Sequence, residues 1–161
     1  MKTRTLVSIL ILVLAVMVIA GSCATTKKAI SEEDAMKEFE GVYVNTEYSG
    51  EGYDNPQKCV LTSDGRWENW ALATNTSPSW TGEYKVAESW MDTEGNIYCT
   101  VDARLFITND RKKELWKLDK SGKILEINYI YTIRGKYPSK IDPDPDPTIT
   151  PTLYYCIWYR Q

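Results

Sequence analysis

Residues 97–107 read Ile-Tyr-Cys-Thr-Val-Asp-Ala-Arg-Leu-Phe-Ile. In an extended chain Ile97, Cys99, Val101, Ala103, Leu105 and Ile107 share one side, opposite Thr100, Asp102 and Arg104. Successive strand side chains point to opposite faces, so this period of two makes one dry and one wet face. That is the pattern of an antiparallel sheet with solvent on one side. Leu125, Ile127, Tyr129, Tyr131 and Ile133 repeat it, against Glu126, Asn128 and Thr132.

Working outward, turn-forming residues recur at hairpin spacing: Ser63-Asp64-Gly65, the stretch 75–79 around Pro78, 92–96 around Gly95, Asn109-Asp110, and 119–122. The segments between them are rich in Tyr, Trp, Ile, Val and Thr, which favour strands. Eight strands are expected, at about 41–48, 57–62, 66–73, 81–88, 96–107, 113–118, 123–133 and 152–160. Ahead of them Ser31 precedes Glu32, Glu33 and Asp34, an N-cap followed by acids that suit the positive end of a helix dipole. With Ala35, Met36 and Phe39 on one stripe and Gly41 after it, a helix is expected at 32–39. The fold class is therefore all-β: a short N-terminal helix, then an eight-stranded antiparallel up-and-down barrel with no free edge.

One long break lies at 134–151, with Pro138, Pro151 and the run Asp-Pro-Asp-Pro-Asp-Pro at 142–147. Alternate prolines hold a chain extended and splay its carboxylates, whereas calcium needs six to eight converging oxygens. A stiff acidic surface loop is expected in preference to a calcium loop or a docking strip.

The N-terminus has a different character. Lys2 and Arg4 precede a 15-residue apolar run, residues 6–20, broken only by Ser8. It is shorter than the roughly 20 residues a spanning helix needs, and its layout is that of a secretory signal. Ala20-Gly21-Ser22 followed by Cys23 resembles the lipobox of bacterial lipoproteins, with Ala20 where Leu is usual. The resemblance implies a signal peptide at 1–22, cleavage before Cys23, acylation of Cys23, and a lipid-anchored protein of the bacterial cell envelope. In such proteins an Asp after the Cys often signals inner-membrane retention. Ala24 stands there, which implies the outer membrane. Residues 23–30 would form a tether reaching at most roughly 28 Å, and 31–161 the barrel domain.

Composition narrows the chemistry. Without residues 1–22 the chain has 139 residues, 17 basic against 22 acidic, a net charge of −5. That surface does not suit nucleic acid. The sequence contains no histidine, so a Ser-His or Cys-His dyad and the commonest zinc ligand are excluded. There are six Trp and eleven Tyr against two Phe, residues with an apolar body and a polar tip. Glu32/Glu33 reads as helix-start charge and Asp142/Asp144 as a solvated loop, not as acid–base pairs. Neither an enzyme nor a cofactor or metal site is expected.

Phe39-Glu40-Gly41-Val42-Tyr43, where a helix runs into the first strand, resembles the start of lipocalin-like (calycin-like) barrels. Those carry Gly-x-Trp there, and Tyr43 replaces the Trp. The family also packs a late Arg over that aromatic; Arg160 is the counterpart, or Arg134. The resemblance implies an eight-stranded barrel with a cavity, but no particular ligand.

On a meander, Cys59, Cys99 and Cys156 fall on strands that are not neighbours, so buried free thiols are expected, with Cys59–Cys156 the best-placed pair for a bridge. The expected function is a membrane-anchored module whose barrel binds a small apolar or amphipathic ligand, with Trp67, Tyr84, Tyr129, Tyr131 and Tyr155 as wall residues. The alternative is a protein-interaction or inhibitor module whose barrel is filled by those side chains. The SGxxY-type loop of lysozyme-inhibitor lipoproteins is not seen.

Overall fold

The computed structural model describes residues 27–45, 57–132, 135–146, 148–149 and 152–161; the signal segment, Cys23 and Arg134 lie outside them. The elements are β1 (Lys28–Ala29), α1 (Glu32–Phe39), β2 (Gly41–Asn45), β3 (Gln57–Leu61), β4 (Arg66–Trp70), β5 (Trp80–Met91), β6 (Ile97–Leu105), β7 (Arg111–Leu118), β8 (Ile124–Tyr131) and β9 (Tyr154–Arg160). From β2 to β9 each strand pairs antiparallel with the next, and β9 returns to β2. This is the expected closed up-and-down barrel of eight strands after one short helix.

Both ends of α1 are built as its residues dictate. The Ser31 hydroxyl accepts the Asp34 N–H at 3.1 Å, and Lys37 reaches Glu33 one turn back at 2.7 Å. Ala35 and Phe39 are wholly buried. The helix ends at Glu40, whose backbone turns extended. Phe39 packs edge-on to Trp116 with ring centres 5.6 Å apart, so α1 plugs one end of the barrel. At that end the turns are tight: Gly65, Gly95 and Gly122 each take positive φ, which glycine adopts without a Cβ clash. Asp119 shows how such a turn is held. Partial burial pushes its carboxyl up, but Ser121 and the N–H groups of Lys123 and Ile124 outweigh this and bring it down to about 2. At the opposite end, the mouth, lie the connection 71–79 and the described part of the segment between β8 and β9.

Closure is clasped by Arg160. Its guanidinium lies over the Tyr43 ring, 5.2 Å from the centroid, and donates to the Tyr43 hydroxyl at 2.6 Å and to the carbonyls of Glu40 and Glu38. The Tyr43 hydroxyl in turn donates to the Phe39 carbonyl at 2.8 Å. A Cβ on Gly41 would meet Arg160 Nε at 3.0 Å, which accounts for the glycine.

Some expectations need correction. Residues 28–30 are not free tether: β1 pairs with the end of β5, and the Ile30 N–H donates to the Ser89 carbonyl. Strand β6 stops at Leu105, leaving Phe106 and Ile107 exposed in a turn where the Leu105 N–H donates to the Asp110 carbonyl. The proline-rich strip is a surface segment, but it is pinned to the barrel. The fully buried Asn128 amide donates to the carbonyls of Asp142 and Tyr154 and accepts from the Asp142 N–H at 2.7 Å.

Replacing Arg160 with Met should lower unfolding stability by about 2–3 kcal/mol, because hydrogen bonds to a charged group are each worth roughly 1.5–3 kcal/mol and this one is half-exposed. Urea denaturation measures the loss. Arg160→Lys should recover less than half of it, since an ammonium lacks the planar fork that spans three acceptors.

Candidate ligand cavity at the barrel mouth

The interior divides at mid-height. Towards α1 it is solid: Phe39, Tyr43, Val86, Leu118 and Leu125 are buried, and Tyr84 and Trp116 meet with ring centres 5.0 Å apart. Towards the mouth a cavity of about 90 Å³ remains, lined by Cys59, Leu61, Trp67, Asn69, Ala103, Lys112, Glu114, Trp116, Ile127, Tyr129, Cys156 and Trp158. Several of these, Trp67, Asn69, Lys112 and Tyr129 among them, are only half-buried, so the cavity meets solvent at the mouth.

The strand period brings these side chains inward. On β7, Lys112, Glu114, Trp116 and Leu118 share the inner face, paired with Ala103, Val101, Cys99 and Ile97 of β6. On β4 the inner residues are Trp67 and Asn69, opposite Leu61 and Cys59 of β3. Trp67 is also opposite Gly82 of β5, where a Cβ would overlap the indole, so the missing side chain gives the ring its place.

The polar groups of the cavity are poorly matched within the protein. Glu114 is buried and accepts one hydrogen bond, from Trp116 Nε1 at 2.5 Å. It has no salt bridge among the described residues. Burial raises its pKa, while the nearby Lys112 charge and the Trp116 hydrogen bond pull the other way. Trp67 Nε1 and Asn69 Oδ1 are buried without hydrogen-bond partners among the described residues. Native proteins leave few such groups unpaired, because each costs about 1–3 kcal/mol. Lys112 crosses the mouth with its ammonium 4.3 Å from the Tyr129 ring centre and 5.0 Å from that of Tyr131. Tyr154 stacks on Tyr129 at 5.1 Å, completing an aromatic rim.

Cys59, Cys99 and Cys156 are free thiols. Burial raises the Cys59 thiol, reinforced by Cys156 and Glu114, and pushes the Cys156 thiol up to about 12 despite a hydrogen bond from Trp158. They remain thiols at neutral pH, small and apolar in character.

The five proposed wall residues separate. Trp67 and Tyr129 line the cavity, and Tyr131 stands at its rim, half-exposed. Tyr84 belongs to the solid half, its hydroxyl donating to the Thr62 carbonyl at 2.6 Å. Tyr155 is on the outer face, donating to Glu126 at 3.1 Å, because Tyr154, Cys156 and Trp158 hold the inner positions of β9. Glu114, Asn69, Lys112 and Gly82 were not among the expected site residues. The signal for the first three is parity: Glu114 and Asn69 each lie two residues from an inward Trp, and Lys112 lies four from Trp116 on the same face.

No family model, no curated protein and no solved structure matches this chain.

Glu114 should impose a pH dependence on stability. Between the ordinary carboxylate pKa and its raised value, the native protein holds a proton that the unfolded chain has lost, so stability falls as pH rises through that window. Urea midpoints measured from pH 4 to 8 (roughly the range spanning a raised carboxylate) should show this fall. Glu114→Gln keeps an acceptor for Trp116 and should flatten it, becoming the more stable form at the alkaline end.

Proposed function

We propose that this chain is an exported, lipid-anchored binding module whose barrel mouth takes the polar end of a small amphipathic ligand. The observation that carries it is that, of the four buried side-chain atoms without a partner among the described residues, two, Trp67 Nε1 and Asn69 Oδ1, belong to residues that line one cavity together with Glu114. A barrel packed only for stability would fill that space with apolar atoms or pair those groups. The Tyr129, Tyr131 and Tyr154 cluster above it offers an apolar wall for the rest of the molecule. The cavity is smaller than the roughly 300–1,000 Å³ that encloses a drug-sized ligand, so only one end of the ligand enters. The module binds rather than catalyses: the chain has no histidine, and two of the thiols lining the cavity are held protonated.

The lipid-anchor part rests on Lys2, Arg4, the apolar run 6–20 and Cys23. The resemblance to lipocalin-like barrels gains support from Arg160 lying over Tyr43. A second proposal, a protein partner seated on the mouth, draws on the exposed Phe106 and Ile107 in the β6–β7 turn beside it.

Tryptophan fluorescence tests the ligand proposal. Titration with short-chain aliphatic amines, acids and amides should give a saturable change with at least one class, lost in Trp67→Phe. No saturable change with any of them would refute ligand binding and turn attention to the protein partner. The anchor is tested by cell fractionation with metabolic labelling by radioactive palmitate. The wild-type chain should be labelled and sediment with membranes, and Cys23→Ala should lose the label; a labelled Cys23→Ala chain would refute acylation at that position.

A further inference from the structure

The charges of the cavity narrow the ligand further. Lys112 and Glu114 both point inward from β7, one at the mouth and one beneath it, and they do not form a salt bridge. A simple cation entering towards Glu114 must pass the Lys112 ammonium, and a simple anion held by Lys112 would sit above a buried carboxyl. Each meets one favourable and one unfavourable charge once Glu114 is ionised, the form that a nearby ammonium favours. A group carrying both signs meets neither penalty.

The neutral groups show the same division. Trp67 Nε1 can only donate, and Asn69 Oδ1 can only accept. A ligand satisfying both must present an acceptor and a donor close together, because the two residues stand two apart on the same face of β4. Size limits the group as well. An apolar cavity of roughly 150 Å³ holds benzene, so one of about 90 Å³ takes around four non-hydrogen atoms.

We propose that the cavity recognises a small zwitterion, the ammonium and carboxylate of a free α-amino acid. The ammonium goes inward to Glu114 and the Asn69 oxygen. The carboxylate turns outward to Lys112 and the Trp67 N–H. The side chain of the amino acid leaves through the mouth against Tyr129 and Tyr131, so a modest apolar side chain is accommodated. This rests on the ligand-binding function proposed above and supplies its chemical class.

Isothermal titration of the full-length protein tests it, with glycine and L-alanine as probes and ethylammonium, acetate and acetamide as comparators at equal ionic strength. The amino acids should bind saturably and each comparator at least about tenfold more weakly, since truncating one partner of a buried charge pair costs more than a factor of ten. Glu114→Gln and Lys112→Met should each reduce amino-acid affinity by at least about tenfold while near-ultraviolet circular dichroism stays unchanged. A Trp67 indole N–H resonance that shifts with glycine places the carboxylate. Comparable affinity for ethylammonium or acetate, or unchanged affinity in both variants, would overturn the zwitterion. If the aliphatic fluorescence titration saturates while both amino acids give no binding, this inference fails and ligand binding stands. If neither saturates, both fail.

Discussion

A barrel closes only where its last strand meets its first, and here that seam is held largely by one side chain. Among the described residues β2 and β9 share two paired positions, Tyr43 with Arg160 and Val44 with Tyr159, whereas β8 and β9 share six and β5 and β6 nine. Arg160 compensates by reaching across the seam to the Tyr43 hydroxyl and on to the carbonyls that end α1. The same guanidinium thus joins the last strand, the first strand and the helix plug. Losing its side chain would leave the seam to backbone pairing alone and release the carbonyls of Glu38 and Glu40 at the end of α1.

This closure sets where interior volume survives. An eight-stranded barrel is just wide enough for side chains to fill it. At the clasped end α1 contributes Phe39 from outside the sheet, and with Tyr43, Tyr84 and Trp116 the space is used up. No helix contributes at the mouth among the described residues, and two inward positions carry only thiols, Cys59 and Cys156. Their small volume, with Gly82 absent a side chain under Trp67, leaves the cavity. The unpaired interior polar groups sit in this half, where solvent or a ligand can reach them, whereas the Tyr43 and Tyr84 hydroxyls of the solid half donate to backbone carbonyls.

The barrel was legible because strand, turn and cap signals agree with one another. The period-two alternation of β6 and β8, three Gly-containing turns and the Ser31 cap point to the same architecture. What was hidden has specific causes. Lys28 and Ala29 carry no strand pattern; they pair because β5 runs on beyond the reach of β4, leaving backbone groups at Trp90 and Met91 to be satisfied. Tyr155 was placed on the wrong face because Tyr-Tyr-Cys-Ile-Trp-Tyr lacks polar alternation, and a shift of one residue inverts every assignment. Tyr84 was placed on the correct face but at the wrong depth, since parity tells in from out and says nothing about height along the axis. Lys112 and Glu114 stand at inward positions of a strand in which charges alternate poorly, and only their parity with Trp116 marks them as inside.

The position of β1 also bears on where a ligand would come from. Strand β1 is fixed to the end of β5 at the clasped side of the barrel, next to the tight turn at Gly95. If Cys23 carries the lipid, the stretch from Cys23 to Lys28 is five residues, at most about 18 Å when extended, shorter than the tether expected from sequence. Under the proposed anchoring, so short a tether would hold the clasped end nearer the bilayer than the mouth. A ligand partitioned into the membrane would be on the wrong side of the molecule, whereas a water-soluble one would meet the mouth directly. That arrangement agrees with the interior chemistry. Glu114, Lys112, Asn69 and the Trp67 N–H make a poor site for an acyl chain and a suitable one for a hydrated polar group, whose lost water they replace.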